Sequence, residues 1–309
     1  MSTPRFALLL ALAFCTPLAA GAKTLEVGPD KTYKLPSAAI AAAEDGDTVM
    51  IDGGEYFDCA IVSVDKITIE GKAPDAAAIL TDKACGGKAL LVTAGDNITI
   101  RNLTLTRARV PDGNGAGIRA EGKNLTIDKV KFINNQNGIL AAAMPESTII
   151  IRNSEFRRNG ACNPACAHGI YVNSLTLLRI ENTKFSDTRQ AHHIKSRASR
   201  TEIVNCEIID GPTGTASYLI DIPNGGSLVV QNSTLEKGPK AENRSTAIMI
   251  GAEGVTQPTR EITITNNSFR NAGSYSTFFV VNTTATDAML KGNRITGKVE
   301  PLKGDGEVN

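Results

Sequence analysis

Tryptophan is absent from this 309-residue chain, and the aromatic content is only 5%. A binding groove floored by stacked indoles is therefore excluded, which counts against a tight carbohydrate-binding module. Charge of one sign is also lacking: 33 Lys and Arg face 32 Asp and Glu. No global field recruits nucleic acid or an anionic membrane. Histidine occurs three times, at His168, His192 and His193. No apolar run is long enough to span a bilayer.

The first residues follow a targeting pattern. Arg5 precedes the apolar run Phe6 to Phe14, and Ala20-Gly21-Ala22 offers the small-x-small site that signal peptidase prefers. Residues 1–22 read as a signal peptide, and cleavage before Lys23 leaves 309 − 22 = 287 residues. Phe14 is too bulky for lipoprotein processing at Cys15. The expected address is periplasmic or secreted, with no membrane insertion after cleavage. In an oxidising compartment, Cys162 with Cys166 is a candidate short disulfide and Cys59 with Cys85 a longer one. Cys206 reads as a buried thiol. The metal-site alternative for Cys162-Asn-Pro-Ala-Cys166 lacks a second pair.

What the chain has in abundance is repetition. An apolar residue, Asn two places on, and an apolar residue three further recur as Ile100-Asn102-Leu105, Ile151-Asn153-Phe156, Ile180-Asn182-Phe185, Ile203-Asn205-Ile208, Val230-Asn232-Leu235 and Ile264-Asn266-Phe269. Weaker copies are Ile127-Lys129-Phe132 and Leu290-Gly292-Ile295, the latter with Asn shifted to Asn293. From a truncated copy at Ile69, the anchors lie 31, 27, 24, 29, 23, 27, 34 and 26 residues apart. A period in that range signals stacked structural repeats. The glycosylation pattern at Asn97, Asn102, Asn124 and Asn232 is dismissed, because Asn102 and Asn232 are repeat positions.

Between anchors, short runs of Ile, Val, Thr and Leu alternate with Gly, Asn and Asp clusters, the pattern of short strands and turns. Pro36 to Glu44 differs, being Ala-rich, and reads as a helix capping the exposed end of a stack. Second apolar motifs centre on Ile118, Ile139, Ile170, Ile194, Ile220, Ile248 and Phe279, so each coil carries at least two strands. The repeated Asn is expected to stack on its counterpart in the next coil, satisfying amides at a bend. Leucine-rich repeats are the chief competitor, but the irregular spacing and Gly- and Asn-rich connections favour a right-handed parallel β-helix. The expected organisation is an all-β, single-stranded solenoid over 23–297 with an N-terminal capping helix, then a polar tail at 298–309.

The stretch from Leu25 to Tyr56, LEVGPDKTYKLPSAAIAAAEDGDTVMIDGGEY, resembles the N-terminal cap and first coil of pectate-lyase-like β-helix proteins, and the Asn-x-x-Phe ladder and His-Gly-Ile-Tyr-Val strand are in the same style. The resemblance covers roughly residues 24–297. It implies the fold but no one reaction, since lyases, epimerases, hydrolases and tail-fibre proteins share this scaffold.

The register supplies candidates for chemistry. One step beyond each inward residue of the second motif, alternation places Arg119, Leu140, Tyr171, Lys195, Asp221, Met249 and Val280 outward. By the same parity His193 and Arg197 share the face of Lys195, and Asn173 flanks Tyr171. His168 and His192 fall at the bend leading in. Gly117, Gly138 and Gly169 are expected to leave room for a ligand. The candidate catalytic set is thus His168, Tyr171, His193, Lys195 and Arg197, with Arg119, Asn173, His192 and Asp221 binding substrate.

Such a set suits an acidic polysaccharide. A uronate unit presents a carboxylate beside an acidic C5 hydrogen, and cations, a base and a proton donor together serve β-elimination or C5 epimerisation. Hydrolysis wants two nearby carboxylates, and only Asp221 is well placed, with Glu121 distant. No cofactor is required; calcium at Asp221 or Glu121 is conceivable without a dedicated Asp cluster. The expected protein is a monomer. Its alternative is a non-catalytic β-helix that binds glycan or serves the cell envelope, in which an outward Lys, Arg or Asp is merely solvated surface.

Overall fold

The structure, a computed structural model of the chain, describes residues 21–72 and 77–309. Nearly all of the expected signal peptide therefore lies outside the described residues. The chain winds as a right-handed parallel β-helix with three long parallel sheets, sheet 1 of twelve strands and sheets 2 and 3 of ten each. A representative coil runs Ile98–Arg101 in sheet 1, Leu103–Thr106 in sheet 2 and Ala116–Ala120 in sheet 3.

The sequence anchors form a single inward line in sheet 1. Ile69, Ile100, Ile127, Ile151, Ile180, Ile203, Val230, Ile264 and Leu290 pair strand to strand in that order. All are 0–1% exposed. Burial of each such side chain stabilises by about 1.5–3 kcal/mol. The second apolar position of the repeat fills sheet 2, where the rings of Phe132, Phe156 and Phe185 stack at 4.4 and 4.7 Å.

The repeated Asn has a different purpose from the one its spacing suggested. Asn102, Asn153, Asn182, Asn205, Asn232 and Asn266 open the short bend from sheet 1 to sheet 2, with φ between 48° and 56°. Asn tolerates this left-handed conformation better than other residues with a side chain. No hydrogen bond joins the amides of these six to one another among the described residues, and those of Asn102 and Asn153 donate to Glu70 and Asp128 of the preceding coil. The buried polar ladder lies one residue later. There Ser154 Oγ accepts from Val130 N–H, Thr183 Oγ1 from Ser154 N–H, and Ser233 Oγ from Cys206 N–H. Cys206 belongs to this ladder and is a buried free thiol, pushed up to about 11 by burial.

The ends are closed from both sides. Helix Pro36–Ala42 packs over the first coils, and Asp58 rather than a residue of its own caps it, accepting from Ser37 N–H at 2.7 Å. At the other end the expected polar tail carries strands. Val299–Lys303 extends sheet 3 beside Thr277–Asn282, and Gly306–Val308 extends sheet 1 beside Ala288–Lys291. Disulfides join Cys59 to Cys85 and Cys162 to Cys166. The second closes a two-stranded hairpin, Ala161–Cys162 with Cys166–Ala167, that stands off the solenoid.

Candidate active site

Sheet 3 sets the geometry of the site. Arg119, Leu140, Tyr171, Lys195, Asp221 and Met249 are successive register partners, so they form one outward line. The last copy departs: Val281, not Val280, pairs with Met249, and Val280 continues the inward line beside Ile248. Phe279 lies one position earlier, buried and stacked on Phe269 at 4.6 Å.

That earlier position explains a second departure. Strand alternation puts His193 outward beside Lys195, yet its ring is fully buried. The strand begins only at Ile194, so the residue before it belongs to the bend and turns into the corner between sheets 2 and 3. His193 packs edge-on against Phe185 and lies 2.8 Å from both Thr188 Oγ1 and Asp210 Oδ1. It is structural and cannot reach a substrate. Gly117, Gly138 and Gly169 occupy the same position on earlier coils. A Cβ on Gly117 would come within 2.8 Å of Phe132, and one on Gly138 within 2.4 Å of the Gly169 carbonyl oxygen. These glycines make room for the Phe stack and the neighbouring strand, not for a ligand.

Two residues before each inward Ile, the side chains face out again. Here His168, His192 and Tyr218 stack on consecutive coils, with centroids 4.9 Å apart at each step. The backbone fixes the proton on both imidazoles: His192 N–H donates to His168 Nδ1 at 3.2 Å, and Tyr218 N–H to His192 Nδ1 at 3.1 Å. Each neutral ring therefore carries its proton on Nε2 and acts as a donor, not a base. Burial, then the charge of Lys195, lowers His192 to about 3. Burial likewise holds His168 well below the ordinary histidine range.

The outward line beside them is crowded with charge. Lys195 Nζ lies 3.3 Å from Asp221 Oδ2 and 2.6 Å from Glu253 Oε1. Its ammonium stands 5.8 Å from the Tyr171 ring centroid, and the Arg197 guanidinium 5.7 Å. Arg197 Nε donates to the Tyr171 phenolic oxygen at 3.1 Å, while its terminal nitrogens donate to Glu253 Oε2 at 2.6 Å and to Asn224 Oδ1. Tyr171 rests against Leu140 on its other side. Burial raises Asp221 to about 6 against the pull of Lys195, and its Oδ1 is buried with no hydrogen-bond partner among the described residues.

The remaining candidates are peripheral. Asn173 donates to the Ala141 carbonyl at 2.9 Å, a turn contact with the preceding coil. Arg119 lies two strands from Tyr171, beyond Leu140, and pairs with Glu121 at 3.4 Å. An open pocket of about 370 Å³ remains over the centre, lined by His168, Tyr171, His192 and Lys195. The Cys162–Cys166 hairpin and Ser217 with Glu242 wall it. Sequence reasoning missed Tyr218, Asn224, Glu242 and Glu253. Tyr218 precedes Ile220 by the same two residues that separate His192 from Ile194, so the register contained it. Loop-borne Asn224, Glu242 and Glu253 carry no register.

The family described as "Right handed beta helix region" matches residues 46–175 and 146–301. The chain belongs to this right-handed β-helix family. No curated protein sequence matches it. Among solved structures, this β-helix is similar to an alginate lyase from Paenibacillus sp. str. FPU-7, with 19% identity and a TM-score of 0.68 over 92% of this chain and 99% of that one. It is also similar to the pectate lyase Pel9A, with 13% identity and a TM-score of 0.56 over 90% of this chain and 78% of that one. The pectin methylesterase from Aspergillus niger shares 10% identity and a TM-score of 0.53 over 93% and 91% of the two chains. At these identities the likeness is one of fold. On its sheet 3 the outward cluster brings the Lys195 ammonium, the Tyr171 phenol and the imidazoles of His168 and His192 to one open pocket, with Arg197 bonded to Tyr171 beside it.

Proposed function

We propose that the protein is an exported enzyme that cleaves an acidic, uronate-containing polysaccharide by β-elimination. The observation that carries this reading is the Arg197–Tyr171 hydrogen bond with the Lys195 ammonium beside the same ring. Arg197 on the phenolic oxygen and the Lys195 ammonium over the same ring place positive charge where negative charge develops on a uronate carboxylate as C5 loses its proton. Lys195 and Arg197 neutralise that carboxylate. The Tyr171 phenolate takes the C5 proton, the C–H electrons form the C4–C5 double bond, and the bond from C4 to the glycosidic oxygen breaks. The phenol so formed returns the proton to the leaving oxygen, which restores the phenolate. His168 contributes an Nε2–H donor that orients the sugar, while that of His192 faces Asp221.

Two of the structures sharing the fold are named as lyases, which supports the reaction class without fixing the polymer. Asp221 is poorly suited to hydrolysis as a second carboxylate, being buried and held by His192 and Lys195. Epimerisation uses the same first step and differs only in returning the proton to C5 from the opposite face. The test is incubation with alginate and with polygalacturonate, following the ultraviolet absorbance of the unsaturated chain end. Tyr171→Phe with Lys195→Ala must abolish that signal. Unchanged activity in the double variant would remove both residues from these roles.

A further inference from the structure

The longest interval between anchors, the 34 residues from Val230 to Ile264, holds an insertion whose position is chemically pointed. It leaves sheet 3 at Ile250 and bears Glu253 between Gly251 and Gly254, with φ of 87° and 92°. The loop hangs on the neighbouring coil: Glu253 N–H donates to the Pro223 carbonyl, and the Asn224 amide to the Gly254 carbonyl. From there the Glu253 carboxylate reaches back two coils and divides its oxygens, one to Lys195 and one to Arg197, each at 2.6 Å. The side chain is nonetheless 45% exposed. Hydrogen bonds from Lys195, then Arg197, hold its carboxyl below the usual carboxylate range.

We infer that Glu253 is a built-in stand-in for the substrate carboxylate, and that the volume it fills is a subsite selective for free, un-esterified uronate. This rests on the elimination reading for the identity of the reacting sugar. With Glu253 in place, Lys195 and Arg197 are balanced by Asp221 and Glu253. With Glu253 withdrawn, Lys195, Arg197 and Asp221 together carry one net positive charge, and a single incoming carboxylate takes the place of the one withdrawn. A methyl ester brings no charge, so it cannot replace what the departing Glu253 takes away. Discrimination arises from the competitor as much as from the cations. The two glycines adopt the left-handed conformation that lets so short a loop present one side chain, and the loop's exposure lets it swing clear.

The test is a titration with sodium galacturonate, which has no glycosidic bond to break, and with its methyl ester. Binding is read from the rise in unfolding temperature of wild type, Glu253→Gln and Glu253→Ala. Removing the competitor should tighten galacturonate binding about two- to thirty-fold, the range for losing the two partly exposed ion pairs that Glu253 makes. Ester binding should change far less. Unchanged or weaker galacturonate binding in both variants would overturn the inference and make Glu253 a support for the cations. The two readings fail separately. Tightening without any unsaturated product from polymers leaves this subsite standing and removes elimination, whereas product without tightening does the reverse.

Discussion

Arg197 and Tyr171 lie on adjacent coils, and the guanidinium Nε donates to the phenolic oxygen at 3.1 Å. This pair joins the charged half of the cluster to its one candidate base. Tyr171→Phe leaves the ring, its packing on Leu140 and its cation contacts, but removes the oxygen. We expect kcat to fall about 10²- to 10⁴-fold, the usual weight of a general acid–base, with KM little altered. Arg197→Lys keeps the charge but loses the planar fork that serves Tyr171, Asn224 and Glu253 together, so it should not restore full activity. Steady-state kinetics on the preferred polymer checks both.

The histidines make an acid-sensitive element. Burial lowers His192 to about 3 and depresses His168 likewise. Between their ordinary value of 6.5 and these lowered values, the unfolded chain binds protons that the folded chain refuses. Stability is therefore lost as pH falls below 6.5. Urea denaturation from pH 7 to pH 4 should show the loss, and His192→Asn should make it shallower. The same lowering means that neither ring titrates catalysis between pH 5 and 8.

Asp221 acts in the opposite direction. Burial raises it to about 6 from 3.8, so the folded chain holds a proton that the unfolded chain has released. Its contribution to stability is lost as pH rises through that window. Asp221→Asn removes this loss, and the variant should gain stability relative to wild type between pH 4 and pH 6. Paired denaturation curves across the window measure it.

The Phe stack should be indispensable to the coils that carry the site. Phe156 is fully buried with a ring on either side. Phe156→Ala is expected to cost about 3–5 kcal/mol by leaving a cavity that flanking coils cannot collapse into. Chemical denaturation reads the cost directly.

The hairpin beside the pocket should matter to binding more than to stability. Cys162 and Cys166 are four residues apart, so their bond restrains little unfolded-chain entropy. The double change Cys162→Ser with Cys166→Ser should raise KM severalfold through a looser pocket wall while leaving the unfolding midpoint nearly unchanged. Comparing kinetics with a thermal melt separates the two effects.

The fold was legible because its determinants are local and repeated. The Ile69 to Leu290 line and the Phe ladder appear in the sequence as spacing alone, and the outward line from Arg119 to Met249 followed from strand alternation. Legibility stopped where alternation stops. His193 sits one residue before a strand, where the bend rather than the pleat aims the side chain, and Val281 displaced Val280 once a Phe took that corner. The repeated Asn marked a bend correctly, but its cause was a left-handed φ rather than amide-to-amide hydrogen bonds. Glu253 and Asn224 were out of reach because loops bring them to the site across coils, with no period to follow.

The most direct test of the whole account is the product formed from a uronate polymer. Purified protein should convert alginate or polygalacturonate into chains with a C4–C5 unsaturated non-reducing end, seen by ultraviolet absorbance and by mass, and Tyr171→Phe should not. Saturated products, or none across free-acid polymers of both kinds while the protein is folded, would contradict it.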